Sequence, residues 1–182
     1  MAKLGYFAEF LLFPPLIVIA TALAFRSPSP PSPVIWMIVY GIGLAGWTFI
    51  EYLLHRIFFH HVPFLSRLHE RHHDDPRGLI GAPVWASFSF GLFGLFIPTW
   101  ATLGFGLATA ATAGVATGYL WYVIVHHATH RWRPSRGSYL YRVRLRHMQH
   151  HYVSDNGNFG VTTAVWDAVF GTALRRRRIA GR

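Results

Sequence analysis

Four long apolar stretches, Tyr6 to Phe25, Val34 to Leu54, Ala82 to Ile97 and Ala101 to Val125, set the frame within which this chain must fold. Each is long enough, or nearly so, to cross a hydrocarbon core of roughly 30 Å as a helix. A backbone inside a bilayer has to satisfy its own polar groups, which leaves helices or closed barrels, and unbroken apolar runs of this length read as helices. Composition agrees, since 52% of the 182 residues are apolar and only 13% charged, too apolar for a soluble domain of this size. The expected fold is all-α: one membrane-embedded domain over residues 1–182, built as a bundle of about four transmembrane helices.

Two of the stretches carry complications. Pro14 and Pro15 fall inside the first, where Lys3, the apolar run from Leu11 and the small residues Ala20, Ala22 and Ala24 also allow a signal peptide. A retained, kinked helix is the reading adopted, because membrane bundles tolerate internal proline. The third stretch is bracketed by Pro83 and Pro98 and is short enough to dip into the bilayer, whereas the fourth is long enough to span with tilt. Between the first two, S-P-S-P-P-S-P (Ser27 to Pro33) is a stiff polyproline-like connector. Gly114 and Gly118, at small-x-x-x-small spacing in the fourth, read as a place where helices pack closely.

The net charge of +10 is distributed as topology requires. Arg56, Arg67, Arg71 and Arg77 follow the second stretch, and arginine recurs from Arg131 to the run Arg175 to Arg178, while the turn between the third and fourth stretches has no Lys or Arg. The positive-inside rule then puts both termini on the cytoplasmic side. Contact with anionic headgroups accounts for the basic tail, and with no base-reading module recognisable, nucleic acid is not an expected partner. The absence of cysteine removes disulfides, thiolate metal sites and iron–sulfur ligation.

Ten of the twelve histidines fall in four tight groups, all on the cytoplasmic side by the same rule: His55 with His60, His69 with His72 and His73, His126 with His130, and His147 with His150 and His151. Imidazole is the commonest metal ligand among side chains, and residues three and four apart share a helix face, so each H-x-x-H-H run is expected to aim three nitrogens one way. Two runs imply two metal positions. His126 and His130 project from one face, while His55 and His60 would diverge by about 140° on an unbroken helix and so serve different metals or straddle a kink. Histidine-only sites suit iron, zinc, copper or nickel. Ten ligands exceed what a zinc hydrolase or a haem needs, and a transporter would place ligands at mid-membrane. Two metal ions at the mouth of an apolar bundle suit attack by dioxygen on a lipid C–H bond. Glu51, one turn before His55, and Asp155 and Asn158, close after the second run, are candidates to hold ligand rings from outside, with Asp74 and Asp75 further ones.

The order E-Y-L-L-H-R-I-F-F-H, L-H-E-R-H-H, H-H-A-T-H, L-R-H-M-Q-H-H-Y and F-G-V-T-T-A-V-W-D-A-V-F-G-T, over residues 47–172, resembles the fatty acid hydroxylase superfamily of membrane di-iron enzymes. The closing stretch is most similar to the fatty acid and sphingolipid hydroxylase branch. The resemblance implies two iron ions, for which zinc can substitute, with no haem or flavin, and a histidine-rich helical cap on the cytoplasmic side. It makes His55, His60, His69, His72, His73, His126, His130, His147, His150 and His151 the metal ligands, leaving His61 and His127 as neighbours or surface residues. It implies a monooxygenase that hydroxylates a fatty acyl or sphingolipid chain with dioxygen. Electrons would come from a separate donor, cytochrome b5-like or a ferredoxin with its reductase. Carotenoid β-ring hydroxylation and sterol or lipid desaturation use similar histidine groups, and a membrane zinc-binding protein is the non-enzymatic alternative.

Overall fold

The computed structural model describes residues 3–174, so the arginine run at 175–178 lies outside the described residues. The helices are α1 (Lys3–Phe25), α2 (Pro33–Leu53), α3 (Pro63–Asp74), α4 (Val84–Ser89), α5 (Ile97–Leu103), α6 (Phe105–Arg131), α7 (Tyr139–Tyr152) and α8 (Val165–Val169), and no strand occurs among the described residues. Two segments, Leu54–Phe59 after α2 and Phe90–Phe96 between α4 and α5, are π-helical. Among the described residues, four helical stretches are long and apolar enough to cross a membrane: Gly5–Phe25, Pro33–Phe59, Val84–Leu103 and Phe105–Arg131. The all-α membrane bundle is the fold expected, and large apolar side chains such as Leu11, Val18, Ile35 and Ile42 cover its outer surface, as lipid-facing residues should.

The third span departs from expectation. Pro98 does not end it; the helix runs on to Leu103. Proline cannot donate to the carbonyl four residues back, and the preceding π-helical turn, together with placement of Pro98 at the start of α5, absorbs that missing bond. The break falls instead at Gly104, whose φ of 80° and ψ of 166° are open only to glycine, so a single residue joins the third and fourth spans. α1 continues through Pro14 and Pro15 and packs on α6, which makes it part of the bundle.

The tightest packing is between α2 and α6. A Cβ placed on Gly43 would lie 2.5 Å from the carbonyl oxygen of Ala111, and one on Gly118 would lie 2.5 Å from Cβ of Trp47. At Gly114 a Cβ would collide with the Tyr40 carbonyl. In lipid, where no hydrophobic force drives helices together, such close approach is what van der Waals association requires. These contacts bring the ends of α2 and α6 side by side, with α3, α7 and α8 capping the bundle at that end. Gly114→Leu is expected to force α2 and α6 apart, costing about 1–3 kcal/mol or more. A lower thermal midpoint and poorer recovery from membranes, relative to Ile42→Leu on the lipid face, would check this.

Candidate metal centre

The histidines gather at the capped end in two groups. His55, His60, His69 and His150 form one, and His72, His126, His130, His147 and His151 the other, with ligand atoms in each lying within 4.8 Å of one another. The π-helical turn explains how His55 and His60 come to share a group. Its wider i→i+5 bonding rotates the five-residue spacing back onto one face, so the two rings stack at 5.5 Å instead of diverging.

The H-x-x-H-H runs do not aim three nitrogens one way, as the spacing suggested. Each run is divided between the groups: His69 faces one and His72 the other from α3, and His150 faces one while His147 and His151 face the other from α7. Each half of the chain therefore contributes to both groups. His73 lies between them, its Nε2 3.0 Å from that of His69 and its ring stacked 4.1 Å from His151.

The donor set fits metal ions. His55 Nδ1 lies 2.7 Å from the Phe159 carbonyl oxygen and His150 Nδ1 2.9 Å from that of Gly157, so each Nδ1 carries the proton and donates it. Each Nε2 is then a bare lone pair. The two lie 3.0 Å apart, an approach that is repulsive unless a cation sits against both. Similar Nε2 to Nε2 separations of 2.8 and 3.1 Å link His130 to His147 and to His72. Two nitrogens about 2.1 Å from one ion and at right angles are about 3.0 Å apart, so the spacing is that of ligands around a common centre.

Burial keeps these imidazoles neutral. His60, His69, His73, His147 and His151 are all held below the ordinary histidine value, first by burial, and His72 and His150 are lowered to about 4 by the same cause. Unfolded histidines protonate near 6.5, so the unfolded chain binds more protons below that value. The metal-free protein is expected to lose stability as pH falls from about 6.5 towards 4, and to keep it above. Thermal unfolding of chelator-treated protein across that range would check the sign.

Glu51 corrects the sequence reading. Its carboxylate does not hold His55; it accepts Val161 N–H at 2.7 Å, Thr162 N–H at 2.8 Å and the Thr162 hydroxyl at 2.6 Å. Asn158 also bonds no ligand ring. With φ at 56° it donates to the Arg146 carbonyl and Gln149, and accepts from Leu174 N–H. Asp155 is exposed and makes no hydrogen bond to a histidine among the described residues, although its charge opposes the lowering at His60, His73 and His150. Asp74, the last residue of α3, and Asp75 just after it are exposed. His61 is exposed, whereas His127 pairs its Nδ1 with the Tyr6 hydroxyl at 3.0 Å and ties α1 to α6.

The residue that spacing arguments missed is Asp167. Fully buried, it accepts Phe159 N–H and Gly160 N–H, both at 2.9 Å, and the Thr172 hydroxyl at 2.7 Å. Glu51 and Asp167 thus take four successive backbone N–H groups, Phe159 to Thr162, and fix the loop whose carbonyls orient His55 and His150. The available signal was the W-D-x-x-F-G-T stretch itself: Trp166 donates to Thr48, Phe170 stacks 5.3 Å from the Tyr52 ring, and Thr172 closes on Asp167. Asp167→Leu leaves three buried donors unpaired and is expected to destabilise by at least about 3 kcal/mol. Weaker metal retention is the accompanying readout, and Asp167→Asn should recover part of both.

A cavity of about 610 Å³ runs from the histidines into the bundle, lined mainly by apolar residues of α1, α2, α4 and α6. His69, His72 and His126 form part of its wall, so it reaches both groups. Tyr122, also on the wall, stacks 5.6 Å from His126 at 6°.

Comparison with known proteins gives the family and the fold. The family model for fatty acid hydroxylase matches residues 40–172. A fatty acid 2-hydroxylase from Macaca fascicularis is 33% identical over 85% of this chain and 43% of its own length. A dihydroceramide fatty acyl 2-hydroxylase from Arabidopsis thaliana is 32% identical over 74% of this chain and 60% of its own, and a ceramide very long chain fatty acid hydroxylase from Schizosaccharomyces pombe is 32% identical over 72% and 41%. The chain therefore spans less than two thirds of these relatives' length. A solved structure of full-length scs7p, with only the hydroxylase domain visible, superposes with a TM-score of 0.81 at 25% identity, covering 94% of this chain and 67% of that one.

Proposed function

The chain belongs to the fatty acid hydroxylase family, and from that premise we propose that it is a membrane monooxygenase that hydroxylates a C–H bond of a fatty acyl or sphingolipid chain. The observation that carries the reading is the apolar cavity of about 610 Å³ ending on both histidine groups. Its size is that of a site for a flexible lipid chain, and its lining keeps water from the reacting carbon.

In this reading His55, His60, His69 and His150 hold one iron, and His72, His126, His130, His147 and His151 the other, with His73 between them. When bound, the two irons supply activation of dioxygen towards an aliphatic C–H bond, with electrons from a separate protein donor. The protein's own part is structural and electrostatic. The Phe159 and Gly157 carbonyls fix the tautomers of His55 and His150, so that Nε2 faces inward with a free lone pair. Leu53, Leu65, Val123 and other wall residues align an extended chain against the histidines. No side-chain nucleophile or acid–base pair is required. The positive-inside distribution of arginine supports a cytoplasmic location for the histidine cap and both termini. The names of the relatives support an acyl or ceramide chain over a carotenoid ring.

The test is metal analysis with lipid mass spectrometry on cells expressing the intact protein or a His150→Ala, His151→Ala variant, which removes a ligand from each group. About two irons per chain and a lipid gaining one oxygen only with the intact protein are expected. One tightly held zinc, with identical lipid profiles, would overturn the oxygenase and favour a metal-binding protein.

A further inference from the structure

The two histidine groups bring Nε2 atoms together in the same way but treat the opposite ring nitrogen differently. In the first group, the Nδ1 protons of His55 and His150 are fixed on the carbonyls of Phe159 and Gly157, at 2.7 and 2.9 Å. Among the described residues, no Nδ1 of this group is buried without a partner. In the second, Nδ1 of His72, His147 and His151 is closed off from water and meets no hydrogen-bond partner among the described residues. Ligand number does not separate the groups. His73, with its Nε2 3.0 Å from that of His69, can join the first and bring it level with the second.

This difference decides where the ring protons rest before a metal arrives. His55 and His150 keep theirs on Nδ1, so two bare Nε2 lone pairs face each other at 3.0 Å. That contact is unfavourable until a cation lies against both, and ligation then moves neither proton. The second group can settle without a cation. Its Nε2 atoms form a chain, His72 to His130 at 3.1 Å, His130 to His147 at 2.8 Å and His147 to His151 at 3.1 Å. With the protons of His72 and His147 on Nε2, every contact in the chain sets an N–H against a bare nitrogen. Ligation through Nε2 breaks that chain and sends both protons to Nδ1, where neither has an acceptor among the described residues.

We propose that the two metal positions are unequal: the group of His55, His60, His69 and His150 fills first and holds its ion more tightly, and the group of His72, His126, His130, His147 and His151 fills second and exchanges. The proposal rests on the reading of both groups as metal positions and not on turnover. The exchangeable position is the one with two of its histidines, His72 and His126, in the wall of the apolar cavity. When metal is scarce, the first ion holds the cap together while the second position stays empty, so metal supply sets the fraction of chains with a complete centre.

Zinc alone is the probe. The full chain, stripped with a chelator in detergent, is loaded with zinc, and release to an excess of a coloured chelator is followed in time. Two phases are expected, differing at least about tenfold in rate. A hydrogen-bond partner on the outer nitrogen of a ligand ring is worth about 10–100-fold in metal affinity, and such differences fall mainly on release. His130→Ala should keep the slow phase and lose the fast one, and His55→Ala the reverse. Asp167→Asn retains every ligand histidine but loosens the loop that carries the Phe159 and Gly157 carbonyls. It should quicken the slow phase and leave the fast one unchanged, whereas a role confined to overall stability would quicken both.

Should an alanine variant fail to fold, Asp167→Asn decides, together with nitrogen-15 NMR of the stripped protein labelled at histidine. The expected spectrum has Nδ1–H on His55 and His150 and Nε2–H on His72 and His147. Release in a single phase, slow release from the second group, or Nδ1–H on all four rings would overturn the proposal. Single-phase release from protein that still hydroxylates lipid counts against the inequality alone. Unequal release, assigned as above, from protein that turns over no lipid supports the inequality and counts against the oxygenase reading alone.

Discussion

Four consecutive backbone N–H groups, Phe159 to Thr162, point at two buried carboxylates, and the histidine-bearing end of the molecule is organised around that contact. A carboxylate away from water is unfavourable unless its lone pairs are filled, and an amide is unfavourable unless it has an acceptor. Glu51 and Asp167 answer both needs, and in doing so they join α2 to a loop more than a hundred residues later in the chain. The loop's carbonyls are then left facing inward, one to His55 and one to His150. The carboxylates act on the ligands through the backbone they hold. A carboxylate hydrogen-bonded directly to a metal-bound imidazole is the commoner arrangement; here a peptide group stands between them.

The second organising fact is that neither half of the chain owns a histidine group. α3 sends His69 to one group and His72 to the other, and α7 divides its histidines likewise. Ions bound there would cross-link α2, α3, α6 and α7, so metal affinity and the folding of the cap are one free energy. The close contact of α2 and α6 through Gly43, Gly114 and Gly118 sets the spacing at which those helices deliver His55 and His130. Small residues in the membrane and ligand geometry outside it are thus parts of one constraint.

Much of this was legible in the sequence because its signals are local. Apolar length marked the spans, small-residue spacing marked the close-packing face of α6, and histidine spacing marked the residues that gather at the capped end. What local spacing misjudged were the places where the helix departs from 3.6 residues per turn. The π-helical turn after Leu53 brought His55 and His60 together, and the one before Ile97 carried the third span past Pro98. The partition of each H-x-x-H-H run depends on how α3 and α7 cross the bundle end, which no short pattern encodes. The role given to Glu51 failed for a related reason. Its place one turn before His55 was read along the helix, yet its partners came from a loop brought in by tertiary folding.

The central claim is that two metal positions each draw ligands from both halves of the chain. Anomalous diffraction from crystals of the iron-loaded protein tests it most directly. The account predicts two peaks, one contacted by His55, His69 and His150 and the other by His72, His130 and His147. A single peak, or two peaks each surrounded by one intact H-x-x-H-H run, would contradict it.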